Sequence, residues 1–435
     1  MTTRFTASGS GVTAVYQSQV NADRRNRSAG IRSTLLDLRS VPRSVLLLGV
    51  TSLLTDMSSE MVVAVLPVYA LYFLHLSPAA FGVVDGLQQG GASLVKLASG
   101  WYTDRSRRYK TMAASGYIAS IASRLGLLAV GSNAALLTPL VALDRIGKGI
   151  RTAPRDAIIS LTARPDALGS AFGVHRALDT CGAMLGPLLG FAVLLWIRDG
   201  YDVVFVISLG LAAIGAAVLV AFVDSPAAPP DAGSIRTVKR TRWPRRFVRV
   251  ATSAGILGLA SISDSFIYLS LQRRLGFGTE YLPLLYVATP AVYLSLAAPI
   301  GAVADRVGSA TVIMAGYAAL FAVYFALSSN LPATVVAIVC VALLGAFYAS
   351  TDGVFAALAS AELPGELRAT GLAMVGTCQD VGRMAASLLF GWMWSHPASI
   401  SAVQQFQVML VIAAFIACTL LWPMLIGERQ GAVDD

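Results

Sequence analysis

About twelve stretches of roughly twenty or more mainly apolar residues follow one another along this chain, and twenty is the number a helix needs to cross about 30 Å of hydrocarbon. A segment inside a bilayer must satisfy its backbone hydrogen bonds internally, so runs of this length read as membrane helices. The first six fall near residues 44–74, 79–103, 110–131, 134–163, 168–197 and 202–223. The second six fall near 249–272, 281–304, 309–329, 332–361, 367–395 and 401–427. Hydrophobic residues make up 56% of the chain and charged ones 13%, with a mean hydropathy of +0.67. That balance excludes a soluble globular domain.

One short pattern occurs twice, each time where an apolar run ends. It reads Gly100-Trp101-Tyr102-Thr103-Asp104-Arg105 and again Gly301-Ala302-Val303-Ala304-Asp305-Arg306, 201 residues later in a chain of 435. The chain therefore divides into two related halves, 44–223 and 249–427, and the expected fold is an all-α membrane protein of two pseudo-symmetric six-helix bundles. Residues 224–248, with Pro226, Pro229, Pro230 and a basic run, form the linker. A disordered tail is expected over 1–43 and a short one over 428–435. Duplicated membrane chains point to transport, because two similar bundles can rock about a site held between them.

The net charge of +9 does not imply nucleic acid, because the arginines and lysines gather in alternate loops. One side receives the amino-terminal tail, the second-to-third connection (Arg105, Arg107, Arg108, Lys110) and the central linker, while the opposite loops carry little beyond Arg198, Arg273 and Arg274. Positive loops stay inside during insertion, so both termini are expected on the cytoplasmic face of an inner or plasma membrane, with the lipid bilayer as partner. Cys181, Cys340, Cys378 and Cys418 lie in apolar spans without metal-ligand spacing and read as packing residues. No metal and no cofactor is expected. No nucleotide-binding loop of the Gly-x-x-x-x-Gly-Lys-Ser type occurs, so ATP hydrolysis is not the expected energy source.

Ionisable side chains inside a span cost a few kcal/mol each, about 2.5–3.5 on insertion scales, and so point to function. Helix one carries Asp56 and Glu60, whose four-residue spacing stacks two carboxylates on one face; the pair is expected to share a proton. Helix four runs Asp144-Arg145-Ile146-Gly147-Lys148-Gly149-Ile150-Arg151, then Arg155-Asp156. Asp144, Lys148, Arg151 and Arg155 fall on one face, which must point into the bundle or a wet cavity, while Arg155 and Asp156 are expected to snorkel at the cytoplasmic end. Helix five places His175 and Asp179 one turn apart, a candidate proton relay. In the second half Asp264 repeats the position of Asp56, and Tyr348, Asp352, Gln379 and Asp380 are candidate substrate contacts, with Arg383 in the same polar turn. Lys96 and Arg124 are weaker candidates.

With these residues in view, the chain resembles the major facilitator superfamily. The loop from Gly100 to Lys110 is similar to the family pattern Gly-x-Leu-x-Asp-Arg-x-Gly-Arg-Lys, with Tyr102 in the Leu place and Arg107 in that of Gly. Arg145 and Gly149 look like the Arg-x-x-x-Gly signature of helix four, and Gly182 to Gly190 resembles the Gly-x-x-x-Gly-Pro-x-x-Gly signature of the antiporters. The resemblance implies a conformational latch at Gly100, Asp104, Arg105 and Arg108, repeated at Asp305 and Arg306. It also implies a bending element at Gly182, Gly186, Pro187 and Gly190. Lys148 stands where Gln is usual and Arg151 where a small residue is usual, which sets this chain apart from carriers of purely cationic compounds.

The expected activity is alternating-access transport, with a small-molecule substrate and protons as partners, by a monomer. The first reading is a proton-coupled exporter of a small organic compound, with Asp56 and Glu60 as coupling carboxylates, Arg145 tuning them, and His175 and Asp179 along the path. The second is a carrier of anionic solutes, such as organic phosphates or acids, bound by Arg145, Lys148 and Arg151. A membrane sensor or enzyme is disfavoured, since no catalytic order of Ser, His and Asp and no appended soluble domain occurs.

Overall fold

The computed structural model describes residues 42–131, 133–163, 168–225, 243–361, 363 and 368–396. Among them the regular structure is helical, without strands. The first bundle holds α1 (Arg43–Val68, continued by a π-turn at Tyr69–Phe73), α2 (Pro78–Ser106), α3 (Tyr109–Leu128), α4 (Leu137–Thr162), α5 (Leu168–Trp196) and α6 (Tyr201–Phe222). The second holds α7 (Arg245–Leu275), α8 (Leu282–Val307), α9 (Ser309–Ser328), α10 (Ala333–Ala361) and α11 (Arg368–Trp394). These match the first eleven expected spans. The twelfth run, the tails and residues 226–242 of the linker lie outside the described residues.

Seven of these helices are long and apolar enough to cross a membrane by length and composition. The others, α2, α3, α4 and α11, carry the polar residues that the bundles turn inward. Successive helices alternate in direction, so the start of α1 and the ends of α2, α4 and α6 share one side, here called the basic side. The starts of α2, α4 and α6 share the far side.

A residue of positive φ closes each copy of the duplicated motif. After α2, Arg107 takes a left-handed conformation (φ +55°) and donates its N–H to Thr103 at 2.8 Å. Seven residues after Gly301, Gly308 also has positive φ (+93°) and donates to Ala304 at 3.1 Å. The second copy keeps the glycine that such a cap favours; the first does not.

The seventh span departs from the continuous helix expected over 249–272. It breaks after Leu259 and restarts at Asp264, with the Ser263 side chain capping the second piece by accepting from the Ser265 N–H at 3.2 Å. One side chain satisfies the backbone freed by the break. The Tyr324 hydroxyl donates to the Ala260 carbonyl at 3.0 Å and accepts from the Ile262 N–H at 2.8 Å.

Between helices in lipid there is little hydrophobic drive, so close approach through small residues holds them together. Gly182 and Gly186 press α5 onto the backbone of α1: a Cβ at Gly186 would come 2.6 Å from the Met57 carbonyl oxygen. The glycine motif of helix five thus acts at an interface within the first bundle. A second glycine run, Gly82, Gly86 and Gly90 of α2, meets α11 of the other bundle, where a Cβ at Gly82 would lie 2.7 Å from the Ser387 carbonyl oxygen and one at Gly90 2.9 Å from that of Asp380.

The two bundles are joined toward the far side. Tyr72 donates to Gln272 at 3.2 Å, the Ala79 N–H donates to Ser395 at 2.6 Å, and the Phe191 and Tyr281 rings stand 5.7 Å apart. Toward the basic side, a Cβ at Gly173 of α5, Gly301 of α8, Gly353 of α10 or Gly376 of α11 would meet nothing within 4 Å. The hydrogen bonds and ring contacts that close the molecule between its bundles thus lie toward the far side.

Candidate substrate cavity and buried charge network

A cavity of about 320 Å³ lies between the bundles. The first bundle lines it with Glu60 of α1, Asp85, Gln88 and Gln89 of α2, Arg145 and Lys148 of α4, and Pro187 of α5; the second adds Asp264, Ser265, Tyr286 and Pro290. Its volume suits a small organic molecule, and its wall carries both signs of charge. Lys148 Nζ stands 3.5 Å from Glu60 Oε1.

The four charges expected on one face of α4 all turn into the first bundle, and each finds a different partner. Asp144 forms ion pairs with Arg124 of α3 at 3.0 Å and with its neighbour Arg145; Arg124 also reaches Ser59 of α1 at 3.1 Å. Lys148 goes to Glu60. Arg151 donates to Ser120 at 2.6 Å, and its guanidinium lies 5.0 Å from the centre of the Tyr117 ring, so it faces α3 and is buried there. Arg155 does not snorkel but bridges Ser52 at 3.1 Å, Asp156 at 3.1 Å and Asp179 at 3.5 Å. The reason is electrostatic, since two carboxylates inside the bundle offset the cost of its burial.

Asp56 and Glu60, expected as a pair, have separate partners. Glu60 faces Lys148 at the cavity wall, while the buried Asp56 carboxyl meets that of Asp179 on α5, with Lys148 and Arg151 as its cationic surroundings. His175 and Asp179 also belong to one network, through other atoms than foreseen: His175 Nε2 lies 3.1 Å from Ser52 Oγ, which in turn accepts from Arg155. Helix spacing alone could not show this, because α1 and α5 are pressed together by Gly182 and Gly186.

In the second bundle Asp264 accepts from the Tyr348 hydroxyl at 2.8 Å and faces the cavity. Asp352 pairs with Arg383 at 3.4 Å, whose guanidinium lies 5.6 Å from the centre of the Tyr348 ring. Asp380 accepts from Ser93 of α2, and Gln379 is buried beside α7, where Gly258 approaches its carbonyl. Tyr348, Asp352, Gln379 and Asp380 therefore stand behind or beside the cavity rather than along its wall.

At the duplicated motif, Gly100 passes Ala153 of α4, with its Cβ position 3.5 Å from that side chain. The Arg105 guanidinium lies 5.8 Å from the centre of the Trp101 ring, and Arg108, Asp305 and Arg306 are exposed. The Asp104 side chain lies outside the described residues.

One group escaped the sequence reading and another was ranked too low. Asp85 is a buried carboxylate at the joint of the bundles, bonded to Ser263 and Ser387 of the other half. It sits in an apolar run between Gly82 and Gly86, where the rule that flagged Asp56 applies equally. Arg124, rated weakly, is the main partner of Asp144.

Comparison with known proteins adds a family to this geometry. The family model for the Major Facilitator Superfamily matches residues 48–387. An uncharacterized MFS-type transporter of Methanocaldococcus jannaschii is 30% identical over 363 residues, covering 82% of this chain and 89% of its own. Among solved structures, a variant of the nucleoside transporter NupG superposes with a TM-score of 0.72 at 14% identity, covering 88% of this chain and 99% of its own. A D-xylose-proton symporter gives 0.68 at 14% identity, covering 86% and 96%.

Proposed function

Because the chain belongs to the Major Facilitator Superfamily and is a multi-pass membrane transporter rather than an enzyme, we propose that it is a proton-coupled exporter of a small organic compound. It would act as a monomer, since one chain supplies the whole cavity wall. The basic loops support a cytoplasmic basic side, and substrate would enter from there.

One observation carries the reading: the buried Asp56 carboxyl of α1 meets that of the half-buried Asp179 on α5, one helical turn before Glu60 in its pair with Lys148. Two carboxyl groups held together in a low-dielectric interior repel unless a proton sits between them. Arg155 binds Asp179 from the other side and reaches Ser52 and, through it, His175. A proton arriving on the pair weakens the hold of Asp179 on Arg155 and leaves Asp156 as the remaining partner. That shift moves α4 and α5 relative to α1, and Lys148 with them. The substrate meets a wall of paired charge, with Asp264, Tyr286 and Gln88 opposite, which suits a polar compound of low net charge.

The anion-carrier reading is less well supported, because Arg151 is turned away onto α3 and Lys148 is already paired. The test is transport by the purified protein in proteoliposomes, with substrates found by thermal-shift screening. Asp56→Asn and Asp179→Asn are expected to retain substrate binding and lose dependence on the proton gradient. Gradient-driven transport surviving in both variants would overturn the assignment.

A further inference from the structure

Asp85 lies on α2 of the first bundle, 2% exposed, and its carboxyl meets three hydroxyls of the second, among them that of Ser265, which is shared with the Tyr286 hydroxyl at 2.9 Å. Ser263 Oγ of α7 is 2.9 Å from Oδ1, and Ser387 Oγ of α11 is 2.7 Å from Oδ2. No arginine or lysine pairs with it among the described residues.

The hydrogen count around it is informative. Ser263 Oγ already receives two donors, the Gln89 amide at 3.3 Å and the Ser265 N–H at 3.2 Å, so its single proton points to Asp85 Oδ1. Ser387 Oγ has two oxygens within reach, Asp85 Oδ2 and the Arg383 carbonyl at 3.2 Å, but only one proton to give. Both contacts become hydrogen bonds when Asp85 carries a proton on Oδ2. It then donates to Ser387, and Ser387 donates to the carbonyl. A neutral acid also avoids the cost of an unmatched buried charge.

We infer that Asp85 is a proton-binding group of the far-side gate, protonated while α2, α7 and α11 are together and ionised when they part. The step is a simple dissociation. On opening, the two serines leave with the second bundle, water enters, and the carboxylic acid gives its proton to that water and becomes a carboxylate. Closure takes a proton back from the same side. Acid therefore favours the closed gate, and alkali on the far side favours the open one.

The charged and titratable groups facing Asp85 are Asp264 of α7, Tyr286 of α8 and, across the cavity, Glu60 of α1 with Arg145 and Lys148 of α4. On α11, Arg383 offers its carbonyl and turns its guanidinium to Asp352. Asp264 is the neighbour most able to imitate the effect, so it is tested alongside.

The inference rests on the alternating-access reading but not on the coupling role of Asp56. The experiment is pulsed electron paramagnetic resonance on the full chain in lipid, without substrate or gradient. Spin labels are placed at Asn133→Cys and Asn330→Cys, in far-side connections of opposite bundles, with the native cysteines replaced by serine. The parent should show a short distance at pH 5 and an added longer one at pH 8. Asp85→Asn should hold the short distance at both. Ser387→Ala, which removes the acceptor of the acid proton, should lower the midpoint by roughly half to one pH unit. Asp264→Asn should keep the parental response. An unaltered response in Asp85→Asn, no shift in Ser387→Ala, or a response lost with Asp264→Asn instead would overturn the inference. Loss of transport coupling in Asp56→Asn tests only the preceding proposal.

Discussion

Lys148 of α4 faces Glu60 of α1 at 3.5 Å, and the pair forms a stretch of cavity wall where an ammonium and a carboxylate of the same bundle meet. Their side chains are 33% and 26% exposed, so solvent screens the attraction and the pair adds little to stability. Its value lies in what a substrate must displace.

Lys148→Gln is therefore expected to leave the melting temperature within about 2 °C of the parent while lowering transport on the order of tenfold, the effect of leaving one carboxylate unmatched at the cavity. The double change with Glu60→Gln should recover part of that loss. Melting curves and initial transport rates of the three variants check both parts; selective loss of anionic substrates alone would favour the anion-carrier reading.

Asp144 behaves differently, because it and Arg124 have side chains only 3% exposed. Asp144→Asn removes the carboxylate that matches Arg124 and Arg145 and should cost about 3–5 kcal/mol. The measurable result is a sharp fall in folded yield and melting temperature. Asp352→Asn, at a site 42% exposed, is the control and should change stability little.

Arg107 adopts a backbone conformation that costs an ordinary residue about 1–2 kcal/mol, where the second copy of the motif has Gly308. Arg107→Gly should recover part of that, roughly 1 kcal/mol, offset by the greater freedom of glycine in the unfolded chain. Thermal unfolding in detergent would register the gain. The reciprocal Gly308→Arg should destabilise.

Gly86 brings α2 against α11, with its Cβ position 3.1 Å from the Met384 carbonyl oxygen. Gly86→Leu should hold the far side apart and shift the population toward states open there. Distances between far-side spin labels should lengthen irrespective of pH, and a parental distribution would contradict the packing described.

The apolar runs were enough to find eleven helices, because crossing a bilayer leaves a chain few alternatives to a helix of fixed length. The break in α7 was also written in the chain, as Ser261-Ile262-Ser263-Asp264, a helix-start signal buried inside an apolar run. It was overridden by the hydropathy around it. Partner choice was less legible. Asp56 stacks over Glu60 by helical arithmetic, yet each turns to a residue on another helix, since contacts between helices depend on rotation and offset that periodicity within one helix does not contain. Arg155 and Arg151 illustrate the same limit: both lie on the charged face of α4, but one meets α1 and α5 and the other α3.

Where α2 crosses α11, main chain faces main chain at Gly82 and Gly391. Such a contact has no interdigitated knobs to withdraw before it parts. Selection can thus rewrite the cavity wall around Glu60 and Lys148, one side chain at a time, while this glycine contact stays as it is. A chain of this kind can acquire a new cargo without having to relearn how to move.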